Sequence, residues 1–129
     1  MGPDLARQFV AAFNSRDADA AAAMTAPDAV LVPLRASVDA TTYRGPNGMR
    51  EFFAASDVQW EGLHMEVDSE EREGDQVLLI GRLTARSRDV LAPADNALGL
   101  LLDFADGMLV GARSFPDPQE AEEAFRRNA

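Results

Sequence analysis

The sequence predicts an α+β fold in a single domain, residues 1–129: three helices, four long antiparallel strands, then a short C-terminal helix. Two observations predict it. The first part of the chain carries helix-capping residues and an apolar period near 3.6, whereas the stretch from Leu63 to Phe115 switches to a period of two, broken by tight-turn residues. A third sets the scale: 129 residues with 47% hydrophobic content suffice for one compact core. Helices gathered on one face of an antiparallel sheet are the expected arrangement.

Asp4 caps a first helix in which Leu5, Phe9, Ala12 and Phe13 form one apolar stripe. Asp17 caps a second, Ala-rich helix, expected to end near Pro27 because proline disfavours a helical residue before it. Val30, Leu31 and Val32 begin a strand. Gly45 and Pro46 start a third helix, which buries Met49, Phe52 and Phe53. Leu63, Met65 and Val67 alternate with His64 and Glu66, and Glu73-Gly74-Asp75 turns the chain into a strand over 76–88. Asp106-Gly107 joins strands over 98–105 and 108–115, a strong hairpin signal. Asp117-Pro118-Gln119-Glu120 opens the last helix, which extends through Phe125.

A net charge of −10 repels phosphate backbones and anionic lipid surfaces, which argues against nucleic acid and membrane as partners. The absence of cysteine removes disulfides, a thiolate nucleophile and sulfur metal ligands. There is no basic, apolar leader pattern and no run of about 18 apolar residues, so a cytoplasmic protein is expected. All twelve cations are arginine and Ile80 is the sole isoleucine, a bias suggesting a GC-rich bacterial genome.

The order Phe9-Val10-Ala11-Ala12-Phe13-Asn14, Asp17, Ala26-Pro27-Asp28 and Tyr43-Arg44-Gly45-Pro46 resembles the opening of SnoaL-like proteins in the nuclear-transport-factor-2-like (NTF2-like) superfamily. The resemblance implies a cone: a curved antiparallel sheet with three N-terminal helices packed on its concave face, and a short C-terminal helix. Ketosteroid isomerases share that cone, and their catalytic positions carry over to apolar residues here. The helix-1 tyrosine falls on Phe9, the proton-shuttling aspartate near Val32 or Pro33, and the protonated aspartic acid near Leu100. Moving a proton alpha to a carbonyl needs a base and an oxyanion hole, so that mechanism is rejected.

Hydrolysis of an epoxide by the related route needs two carboxylates bridged by arginine. Asp103 in an apolar strand, with Arg82, Arg86 and Arg113 on neighbouring strands, is the candidate cluster; the competing reading is an ion pair on the outer sheet face or at a dimer interface. His64, the single imidazole, points away from the face carrying Leu63 and Met65. Tyr43 and Trp60 each offer an apolar ring with a polar tip, to a ligand or to the core. Phe13, Phe53, Met65 and Phe115 are core choices by periodicity, and the resemblance implies that some line a cavity. The candidate ligand-binding set is therefore Phe13, Tyr43, Phe53, Trp60, Met65 and Phe115. No dinucleotide, phosphate-loop or metal motif appears, so no cofactor is expected.

Leu98 to Phe104 is apolar on both faces and needs two covers, from which a homodimer packed sheet to sheet is expected. The functional expectation is a small, largely apolar organic molecule in the cone, with cofactor-free isomerisation, cyclisation or hydrolysis as the chemistry if there is any. The alternative is a non-catalytic dimerisation or scaffold module whose cone is filled by its own side chains. Cavity volume separates them: about 300 Å³ or more, with polar lining, favours the ligand.

Overall fold

A computed structural model describes residues 4–32, 42–87 and 93–127. Helix α1 (Leu5–Asn14) starts at Asp4, whose carboxylate accepts the Arg7 amide, and α2 (Ala18–Ala23) starts at Asp17, which accepts the Ala20 amide. Each cap satisfies an N–H that the helix start leaves without an intrahelical acceptor. The Thr25 hydroxyl donates to the Ala21 carbonyl at 2.7 Å, and strand β1 (Thr25–Val32) begins there. The helix thus ends before Pro27 is reached. Pro27, with no amide to donate, lies in the part of β1 between Thr25 and Val30 where the pairing register shifts.

β2 (Tyr43–Arg44), α3 (Gly45–Gln59), β3 (Trp60–Glu73), β4 (Gln76–Ser87), β5 (Pro93–Ala105), β6 (Met108–Phe115) and α4 (Pro118–Arg127) follow. Tyr43, expected just ahead of the third helix, is held in β2 opposite Leu31. Pro33 and Arg88, which the sequence places at a candidate site and a strand end, lie outside the described residues.

The strands form one curved, unclosed sheet in the order β2-β1-β6-β5-β4-β3. Its long strands pair antiparallel, but β1 runs parallel to β6. No hairpin joins that pair; the rest of the sheet lies between them in sequence, which permits a parallel pairing. Asp106 and Gly107 both have positive φ, 52° and 77°, as a type I′ hairpin turn requires. From that turn Ala105 pairs with Met108, and a bulge between Asp103 and Phe104 then slips the register by one. Leu100 consequently faces Ser114, and Leu101 faces Arg113.

The main core fills the concave side, where Phe9, Phe13, Met49 and Phe53 from the helices meet Leu63, Met65, Val77, Leu79, Leu98, Leu100 and Leu102 from the sheet. A second cluster lies on the outer face: Ala121, Ala124 and Phe125 of α4 cover Leu78 and Leu101, with Ile80 and Phe115 alongside. The three N-terminal helices thus share the concave face, as expected, while the C-terminal helix α4 packs on the outer one. Gly99 is the reason α4 fits there, since a Cβ at that position would stand 2.4 Å from the Ala121 Cβ. Leu101 obtains its second cover from the same chain, so the two-cover pattern does not by itself call for a second subunit.

β3 forms one edge of the sheet, and α1 ties it down. The Asn14 side chain accepts the Met65 amide at 2.7 Å and donates to the Met65 carbonyl at 3.0 Å, while Arg72 pairs with Asp4. Asp68, Glu70, Glu71 and Glu73 are exposed along the same strand, and such charge discourages further strand pairing. Among the described residues no helix is long and apolar enough to cross a membrane.

Candidate functional site

Between α1, α3 and the concave sheet lies a cavity of about 40 Å³. Phe9 and Phe13 of α1 are one helical turn apart and reach it together. Met49 and Phe52 approach from α3, Leu31 and Val32 from β1, and Met65, Leu100, Ala112 and Ser114 from β3, β5 and β6. A cross-braced aromatic row backs this wall. Phe13 and Phe53 meet edge to face at 6.1 Å, Phe53 and Phe52 at 5.9 Å, and Phe52 and Tyr43 at 5.9 Å.

At one end of this row the Arg16 guanidinium lies 4.9 Å from the Phe13 ring centre and 4.7 Å from that of Phe53. It donates to the Phe13 and Phe53 carbonyls and to Asp57. Arg16 adopts φ 56°, a left-handed conformation that turns the chain between α1 and α2 and aims the side chain across both rings. It is a structural cation, facing the backs of the rings.

Of the positions singled out by the isomerase resemblance, Phe9, Val32 and Leu100 border the cavity, and Pro33, the alternative to Val32, lies outside the described residues. None bears a proton that can be moved. Among the described residues of the lining Ser114 has the single polar side chain, and a hydroxyl without an adjacent base is a poor nucleophile. Among the described residues no titratable one lines the cavity, and no group of three or more His, Asp or Glu could hold a metal ion. The described part of the lining offers apolar contact and one hydrogen-bonding hydroxyl.

Of the six candidate ligand residues, Phe13 and Met65 line the cavity. Phe53 is buried behind Phe13, while Tyr43 and Trp60 are half-buried at the margin of the same core. Phe115 packs on the opposite face with α4, because the bulge in the β5–β6 hairpin puts Ala112 and Ser114, not Phe115, on the concave side. Asp103 also faces outward. It accepts a hydrogen bond from Gln76 Nε2 at 2.6 Å, where an arginine partner was anticipated. Arg113 stacks 5.9 Å from the Phe115 ring, and Arg82 stands opposite Glu66 in the outer register; the Arg86 side chain lies outside the described residues. His64 is exposed opposite Thr84, away from the cavity. Met49 and Phe52 were legible as a buried helix face, but Ser114 and Ala112 were not legible as cavity residues without the bulge.

The SnoaL-like domain profile matches residues 6–112 of the sequence. The chain belongs to the SnoaL-like family. No functionally curated protein matches its sequence. Solved structures similar to this SnoaL-like domain include a protein of ketosteroid isomerase-like fold from Catenulispora acidiphila, in complex with trimethylamine, at a TM-score of 0.79 and 17% identity over 89% of this chain and 86% of that one. An NTF2-like protein from Burkholderia thailandensis aligns at 0.78 with 22% identity over 94% of both chains. A protein provisionally described as a SnoaL-like polyketide cyclase, from Shewanella denitrificans, aligns at 0.73 with 17% identity over 95% of both. At these identities the likeness establishes that the SnoaL-like domain has the NTF2-like cone, and nothing of its chemistry.

Proposed function

We propose that this SnoaL-like domain is a non-catalytic association module whose cone is filled by its own side chains. The carrying observation is the cavity: about 40 Å³, bordered by Phe9, Val32 and Leu100 where proton-transfer groups would have to stand. A water needs roughly 10–15 Å³ of such space, so the cavity holds about three heavy atoms. The volume therefore favours the module over the ligand-binding enzyme.

Native mass spectrometry of the purified protein, repeated after denaturation, tests this reading. The chain mass without a releasable organic adduct is expected, together with no binding of trimethylamine, the compound held by the Catenulispora relative, below millimolar concentration. An organic adduct freed on denaturation would overturn it and return the cone to ligand binding.

A further inference from the structure

β3 leaves the core halfway along its length. Every residue from Glu66 to Glu73 is exposed, so both faces of this half meet solvent, and among the described residues only β4 pairs with it. The other edge is closed by α1 at Met65. There the Asn14 carboxamide accepts from the Met65 amide and donates to the Met65 carbonyl, the two-bond exchange that a residue of a neighbouring strand makes in a hydrogen-bonded pair. Met65 therefore turns its peptide groups away from β4. Beyond the register shift between Val67 and Ser69, the orientation follows from the far end of the strand. Glu73 and Gln76 flank the two-residue turn Gly74-Asp75, in which Gly74 has φ 60° as a type II′ hairpin requires, and such a flanking pair is bonded to itself. Alternation then turns the N–H and C=O of Arg72 and Glu70 to the open edge.

We infer that the edge of β3 from Val67 to Glu73 is a docking site for an extended cationic segment of a partner protein, which adds to the six-stranded sheet as a further strand. The inference rests on the module reading above and names the partner. Main-chain bonds to Glu70 and Arg72 hold the segment, and charge selects it. Glu66, Asp68, Glu70, Glu71 and Glu73 crowd this stretch, and its one cation, Arg72, is already engaged by Asp4 and Glu70. The acids occupy both faces. Glu70 pairs with Leu79 of the concave core, whereas Glu71 pairs with Leu78 of the outer cluster, so a cation on either side of an incoming strand meets a carboxylate. The same charge refuses a second copy, because two β3 edges would set acid against acid on chains that each carry −10.

The test titrates the full-length chain with a labelled, end-blocked probe peptide of four Lys-Thr repeats, read by fluorescence anisotropy and by amide hydrogen exchange. Saturable binding is expected, with exchange at the Glu70 and Arg72 amides slowed about tenfold and exchange at Met65, already bonded to Asn14, unchanged. Raising salt from about 0.05 M to about 0.5 M weakens the affinity. Glu71→Lys combined with Glu73→Lys, both at exposed positions, should bind about tenfold more weakly while melting as the wild type does. The same probe N-methylated at every peptide bond keeps its charge but has no backbone donors; if it binds as tightly as the unmodified probe, charge alone is responsible and strand addition is overturned. Absence of binding at millimolar probe and low salt overturns the site outright. Exchange at Glu70 and Arg72 that slows with the protein's own concentration, without probe, would place a second copy on this edge and overturn the cationic partner. The cone is tested separately by mass spectrometry: a releasable adduct beside a probe that binds leaves the edge standing, and an adduct-free chain that ignores the probe leaves the module without this partner. If the double variant fails to fold, the N-methylated probe decides alone.

Discussion

Replacing Arg16 by alanine removes a cation that lies over two rings while leaving the backbone problem untouched, because arginine and alanine have the same Cβ cost at φ 56°. The loss is therefore that of the side chain. Each cation–π contact, at 4.9 and 4.7 Å, contributes about 0.5–1 kcal/mol for a side chain that is 21% exposed. The bonds to the Phe13 and Phe53 carbonyls are long, 3.3 and 3.4 Å, and fall at about 0.5 kcal/mol each. The ion pair with Asp57 is short at 2.9 Å, but Asp57 is 51% exposed and solvent screening holds its share to about 0.5 kcal/mol. Arg16→Ala should cost about 2.5–3.5 kcal/mol in urea unfolding and lower Tm by roughly 9–13 °C for a chain of this size. Arg16→Gly loses the same contacts but relieves the left-handed backbone, so it should be more stable than the alanine variant by roughly 1 kcal/mol. An alanine variant within about 0.5 kcal/mol of wild type, or a glycine variant below alanine, would refute the assignment of Arg16 as the brace of the aromatic row.

Three further outcomes follow from the same geometry. Ala112→Val places two methyl groups at the wall of the cavity and should raise stability by about 1 kcal/mol in a thermal melt, whereas a loss would mean that the space beside Ala112 is not free. Asn14→Leu removes both bonds to the Met65 backbone and should cost about 1–3 kcal/mol, with faster hydrogen exchange along β3 than along β4. Burial pushes the Asp4 carboxyl up, but the Arg7 amide and the Arg72 guanidinium outweigh it and hold the group below its ordinary value of 3.8. Its stabilisation is thus present above pH 3.8 and is lost as pH falls through the lowered range, and Asp4→Asn should flatten the acid limb of a stability–pH curve measured between pH 5 and 2.

Local signals carried the elements because their causes are local. Asp4 and Asp17 cap helices within three residues of themselves, and Asp106-Gly107 forms its turn from the conformations of two residues. The apolar residues at Phe9, at Val32 or Pro33, and near Leu100 were also readable, since they required only a resemblance of order along the chain. That they border one cavity was not readable, because α1, β1 and β5 are brought together by packing across the whole sheet.

The sequence by itself determined an α+β chain of helices followed by paired strands, with no cysteine chemistry and no proton-transfer group at the positions where the resemblance requires one. The tertiary structure decided which side chains share a space. Counting back from the Asp106-Gly107 turn without a bulge would pair Leu100 with Arg113 and turn that arginine toward the concave side; the slip between Asp103 and Phe104 puts Ser114 there and sends Arg113 and Phe115 outward. It also decided that α4, seated over Gly99, covers the second face of Leu101. Strand alternation has a period of two, so one extra residue inverts every face beyond it, and whether that residue is accommodated depends on the packing of the assembled sheet.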